Sequence, residues 1–359
     1  MRVSWAFLLI AWISTPAAAA TRVVPDAFPT IASALAGASA GDTVLVRSGT
    51  YPEHLQLVDG VVLLGEDLLD RPIIDGTHTD TVLTATGGVL GFTVERCVIR
   101  NGLGAGLGGG AELSAATVVF RDCLFQQNTA NLGGGVGSAG SALTLERCAF
   151  ENNVATQSGG GVTITDLSSP MIDDCTFLGN SAFAGGAIAV RNGCTPTISG
   201  CLMDGSTADQ GAAVWFDFLA GGSLTSNTIV HANANGGGGA LYFNALSAPT
   251  IDHNVIAFGA AGGATFAVTG ADPTFGCNCV FGNAGGDSLL GGTDLGTNLS
   301  LDPQFCDEGF GDYGLFEDSP CATDVTCGLI GAFPVGCTVV SAGSELEFRS
   351  WGAIKSQWR

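Results

Sequence analysis

Residues 121–188 write one pattern three times in succession. Arg121-Asp122-Cys123-Leu124-Phe125-Gln126-Gln127-Asn128 is followed by Gly133-Gly134-Gly135-Val136, and Glu146 to Asn153 by Gly159-Gly160-Gly161-Val162. Asp173 to Asn180 is followed in turn by Gly185-Gly186-Ala187-Ile188. A short fixed period restricts a chain to a solenoid, because each unit buries its apolar face only by stacking on the next. With cysteine as a ruler, equivalent positions are Cys97, Cys123, Cys148, Cys175, Cys201, Asn227, Asn254 and Cys279, in steps of 25 to 27 residues. Each copy holds short alternating runs such as Ala142-Leu143-Thr144-Leu145, separated by Gly and Asn, and none holds a matching helix. Three short strands and three turns fill such a period. The expectation is an all-β, single-stranded right-handed parallel β-helix of about ten coils. The Leu-x-x-Leu-x-Leu frame of a leucine-rich horseshoe is absent from the chain.

The register makes definite core assignments. Val136, Val162, Ile188, Val214 and Leu241 should form one inward column, and Phe125, Phe150 and Phe177 another. At the head of the chain, Ile31, Ala34, Leu35 and Ala38 recur at helical spacing behind Thr30, an N-cap residue. A short helix there would cover the open mouth of the solenoid.

Composition sets the compartment. Arg2, the apolar run Trp5–Ile13 and Ala17–Ala20 read as a secretory signal over residues 1–20. No other segment is long and apolar enough to span a bilayer, so a secreted or cell-surface protein is expected. The remaining divisions are an N-terminal cap (21–40), the β-helix (41–337), a linker (338–344) and an amphipathic tail (345–359). The tail carries the only lysine of the chain, Lys355. Phe348, Trp351, Ile354 and Trp358 fall on one helical face there, fitting a cap or a sorting signal. Net charge is −21, and Asn192–Val340 holds 14 acidic residues with no Lys or Arg. Such a field excludes nucleic acid and anionic membrane surfaces as partners.

The 12 cysteines of an exported chain divide by spacing. Ruler cysteines on in-register strands lie about 4.8 Å apart with parallel Cβ vectors, which favours stacked free thiols. Cys306, Cys321, Cys327 and Cys337 crowd the C-terminal end and are the disulfide candidates, as staples over the final coil.

The run Thr30-Ile31, Ala34-Leu35, Gly41–Val46, Gly49-Thr50-Tyr51 and Glu53 resembles the N-terminal cap and first coil of the pectate-lyase-like superfamily. The central Phe-x-x-Asn and Gly-Gly-Ala-Ile tetrads resemble the repeats of chlamydial-type polymorphic outer-membrane proteins. Leu301–Phe305, Asp318–Cys321 and Ile330–Phe333 are similar to the closing coil of exported bacterial β-helix repeat proteins. These resemblances imply a right-handed β-helix and leave activity open, since function lives in sites grafted on a fold.

Several groups of residues are candidate sites. Glu95, Arg121, Glu146 and Asp173 form one column of charges, and Arg96, Asp122, Arg147 and Asp174 its neighbour. Their alternating sign fits register-fixing surface ion pairs. Asp173 and Asp174 are similar to the paired aspartates of β-helix glycoside hydrolases, although the Gly-His-Gly and Arg-x-Lys of that family are missing. With Arg191, they are the catalytic candidates for a polysaccharide lyase or glycoside hydrolase. Asp204, Asp209 and Asp217 could bind Ca2+, and Asp287, in Gly285-Gly286-Asp287-Ser288-Leu289, loosely matches a calcium-binding nonapeptide. No other cofactor is indicated, and the four histidines show no metal spacing. The leading expectation is a non-catalytic surface or adhesin-like scaffold that binds glycans or matrix. A lyase or hydrolase is the alternative. Oligomeric state is not legible.

Overall fold

The computed structural model describes residues 19–235 and 238–338. The expected signal peptide (apart from Ala19 and Ala20) and amphipathic tail therefore lie outside the described residues. Three long parallel sheets run the length of the solenoid, with twelve, ten and nine strands, here sheets 1, 2 and 3. One coil visits them in order. Thr117–Arg121 lies in sheet 1, Leu124–Gln126 in sheet 2 and Val136–Ala139 in sheet 3, before Ala142–Glu146 re-enters sheet 1. Each strand pairs in parallel with its equivalent in the next coil, as Phe125 does with Phe150 and Phe150 with Phe177. The ten strands of sheet 2 mark ten coils.

The corner between sheets 1 and 2 is a single left-handed residue at the position before the ruler. Arg96, Asp122, Arg147 and Asp174 sit there with φ of 50–55°. Gln127 and Asn152 make the same bend at the next corner, with φ of 56° and 53°. An αL residue reverses the chain in the least space, at a steric cost that stacking must offset. Two interior columns beside these corners supply the offset. Asn128, Asn153 and Asn180 are fully buried. Each side-chain oxygen accepts the backbone N–H of the coil before it, as Asn153 Oδ1 does from Asn128 at 3.1 Å. The ruler column holds Cys97, Cys123, Cys148, Cys175 and Cys201, all buried free thiols. Asn227 and Asn254 continue it as a second amide ladder.

Both predicted apolar columns are present. Val136, Val162, Ile188, Val214 and Leu241 are fully buried and in register. The rings of Phe125, Phe150 and Phe177 stack with centroids 4.9 and 4.8 Å apart. The cap helix spans Ile31–Ala36, with Thr30 and Ser33 forming a capping box and Ile31, Ala34 and Leu35 buried. The Glu53 carboxylate accepts the Ile31 and Ala32 N–H groups at 2.9 and 2.8 Å. That placement complements the positive end of the helix.

Two expectations need correction at the C-terminal end. The ruler does not reach Cys279, because the repeat contracts there. Asn278, 24 residues after Asn254, accepts from Asn254 and so occupies the column. Cys279 lies opposite Val255, one position later. It is bonded to Cys321, while Cys277 joins Cys327 and Cys306 joins Cys337. All four candidate cysteines are thus in disulfides, two of them with partners in the last coils. The staples also do not simply close the final coil. Phe305–Asp307, Asp312–Phe316 and Val335–Cys337 form a small sheet of their own. Phe305, Tyr313, Leu315 and Ile330 pack on Leu202, Val230, Val255 and Ala257, on the outer side of sheet 2. Those strands are apolar on both faces because this segment folds back along them.

Among the described residues, no helix is long and apolar enough to cross a membrane.

Candidate functional site

The candidates from sequence fall at different corners. Asp173 and Asp174 lie where sheet 1 turns into sheet 2. Asp173 accepts a hydrogen bond from Ser199 at 2.6 Å. Burial, and then the Asp173 charge, push the Asp174 carboxyl up, while Arg147 opposes them. The two are adjacent along the corner, at the end of the sheet 1 strand Met171–Asp173. Five other members of the charge columns form ion pairs. Arg121 bridges Glu95 and Glu146 at 3.1 and 2.5 Å, and Arg147 meets Asp122 at 2.9 Å.

The calcium candidates do not converge. Asp204 accepts from His231 and from the Tyr313 hydroxyl. Asp217 faces Arg191 and accepts from Asn244 at 3.0 Å. Asp209 sits near Phe183, to whose carbonyl its N–H donates. Asp287 accepts from the Gly282 and Asn283 N–H groups and from the Asn283 side chain, which ties its own turn. Among the described residues, only Asp252, His253 and Cys277 gather metal-type ligand atoms within 4.8 Å. The Cys277 sulfur is already bonded to Cys327.

Arg191 stands elsewhere, just beyond the sheet 3 strand Ile188–Val190. A shallow groove of about 240 Å³ opens there, lined by Thr156, Gln157, Ser158, Phe183, Ala184, Arg191 and Trp215. The periodicity of the outer face of sheet 3 creates it. Ala189, Trp215, Tyr242 and Phe266 are stacked in register on successive coils. Ala184 and Trp215 line the groove, with the indole at one side and Ala189 packed beneath them. Tyr242 and Phe266 stack behind, with centroids 5.0 Å apart. Phe183, 53% exposed, forms the opposite lip.

The polar lining is undersaturated. The Arg191 guanidinium lies 5.9 Å from the Trp215 ring centroid. Its Nε is 3.6 Å from Asp217 Oδ2, an ion pair too long for a hydrogen bond. Arg191 Nε, Trp215 Nε1 and Ser158 Oγ are all buried without a hydrogen-bond partner. Buried N–H donors left unmade cost about 1–3 kcal/mol each. An apolar lip, an aromatic wall and the polar side chains of Thr156, Gln157 and Arg191 suit a polyhydroxylated ligand: C–H faces pack on rings while hydroxyl groups hydrogen-bond. A proton-transfer pair is missing from the groove lining. Sequence reading found Arg191 and Asp217 but not their pairing across a coil, and it passed over Trp215. The usable signal was the outward run Trp215, Tyr242 and Phe266 at coil spacing.

The family model described as right handed beta helix region matches residues 61–223. The fold of the described residues, three parallel sheets visited in turn by successive coils, is of this right-handed parallel β-helix class. No curated protein matches the chain. Among solved structures, the chain is similar to a mannuronic acid specific polysaccharide family 6 lyase from human gut microbiota. That match has 11% identity, covers 79% of this chain and 82% of the other, and has a TM-score of 0.39. A pectin methylesterase in complex with hexasaccharide VII matches at 14% identity, over 75% and 80% of the two chains, with a TM-score of 0.30.

Proposed function

We propose that this protein is an exported, non-catalytic β-helix that binds glycan chains in the groove between Phe183 and Trp215. The observation that carries this reading is the groove lined by Phe183, Arg191 and Trp215, beside the stacked outward rings of Tyr242 and Phe266. Neutral or weakly charged sugars fit better than polyuronates. Arg191 is already opposed by Asp217, and the chain carries −21 overall. Three disulfides support an oxidising, extracytoplasmic setting.

A glycan-array screen followed by titration tests the proposal. Trp215→Ala and Arg191→Gln should each lower affinity for the best ligand at least about tenfold, with the fold unchanged. Reducing-sugar and unsaturated-uronate assays, with and without Ca2+, should show no turnover. Turnover abolished by Asp173→Asn or Asp174→Asn would reverse the reading in favour of a lyase or hydrolase.

A further inference from the structure

We propose that the segment Phe305–Phe316 is held over sheet 2 by a charge clamp, in which protonated His231 bridges Asp204 of the solenoid and Glu308 of the segment. The geometry is specific. His231 Nδ1 lies 2.9 Å from Asp204 Oδ1, and Nε2 lies 2.9 Å from Glu308 Oε1. A neutral imidazole has one N–H and one lone pair, so it can donate to only one of two carboxylates. Both contacts are satisfied only by the imidazolium. The Tyr313 hydroxyl, also from the segment, donates to Asp204 Oδ2 at 2.7 Å and adds a second tie across the same interface.

The titratable groups facing His231 are Asp204 on sheet 2, and Glu308 and Tyr313 on the segment. Phe258 is its neutral ring neighbour. The Asp204 hydrogen bond, acting against burial and joined by Glu308, pushes the His231 pKa up to about 9 from 6.5. A raised folded-state pKa sets the sign. The clamp contributes fully below pH 6.5 and is lost as pH rises through about 9. Release is local, because Cys277–Cys327 and Cys279–Cys321 still tether the chain beyond it. What it uncovers is the part of the apolar strip beneath Phe305, Tyr313 and Leu315, since Cys321 and Ile330 stay in place. The device is thus an alkaline-opening cover over an apolar sheet face.

The test follows the His231 imidazole by NMR and the strip by an apolar fluorescent dye, in the same pH titration of intact oxidised protein. The expected result is a His231 midpoint near 9, with dye binding rising at the same midpoint. Glu308→Gln should move both midpoints down toward 6.5 together, and His231→Gln should make dye binding independent of pH across this range. If His231→Gln does not fold, Glu308→Gln alone decides. A wild-type midpoint near 6.5, or one that Glu308→Gln leaves in place, overturns the clamp. Dye binding that stays flat while His231 titrates overturns the cover.

Discussion

Asn153 Oδ1 accepts both the backbone N–H and the side-chain N–H of Asn128, at 3.1 and 3.0 Å, one coil away. Its own amide donates to the Phe125 carbonyl and to Asn180 Oδ1, each at 3.0 Å. One side chain therefore satisfies polar groups on three successive coils at a left-handed corner.

Replacing Asn153 by Ala would orphan two buried donors of Asn128. The expected loss is on the order of 3 kcal/mol, read as a fall in the denaturant midpoint. Asn153→Asp should cost at least as much as Ala, because it sets a carboxylate oxygen against the Phe125 carbonyl and Asn180 Oδ1 in a buried site. A loss of stability below about 0.5 kcal/mol would mean that water fills the ladder position.

Phe150 is sandwiched between Phe125 and Phe177 and is fully buried. Phe150→Ala should cost roughly 3–5 kcal/mol, and Phe150→Leu clearly less, because the cavity is smaller. Equal costs for the two would show that ring stacking, rather than cavity volume, dominates the column.

The thiols give a counting experiment. Alkylation of denatured, unreduced protein should label Cys97, Cys123, Cys148, Cys175, Cys194 and Cys201. Cys277, Cys279, Cys306, Cys321, Cys327 and Cys337 should label only after reduction. In the folded state the ruler thiols should stay unreactive at neutral pH. Burial pushes the Cys97, Cys123, Cys148 and Cys175 thiols well above their ordinary range.

Arg121 offers the contrast with the core. It bridges Glu95 and Glu146 but remains 37% exposed in its side chain. Arg121→Ala should therefore cost about 0.2–1 kcal/mol, and the difference from wild type should shrink in high salt. A loss as large as that of Phe150→Ala would refute the surface-pair reading.

Much of the site was legible only piecemeal. Arg191 and Asp217 were visible as isolated charges in sequence, 26 residues apart. Their pairing, and the hollow beside Trp215, depend on which outward positions of sheet 3 stack. Trp215, the strand partner of Ala189, lines the groove together with Arg191 and Phe183 from the coil before it. Periodicity reports where a side chain points, and neighbouring side-chain volumes then decide whether a cavity remains.

The sequence by itself determined the solenoid, its core columns, its cap helix and its stack of free thiols. In each case the deciding contact joins residue i to its equivalent one period away, so a repeat in the chain is a contact in space. Only the tertiary structure decided the C-terminal end. There the period contracts to 24 residues between Asn254 and Asn278, moving Cys279 off the column and into a disulfide. The returning segment makes contacts such as His231–Glu308, across 77 residues, which no repeat encodes. Its docking explains why Leu202, Val230 and Val255 are apolar at outward positions. Stacking is a local rule written in every copy, whereas a fold-back contact occurs once and depends on shape and charge matching between distant surfaces.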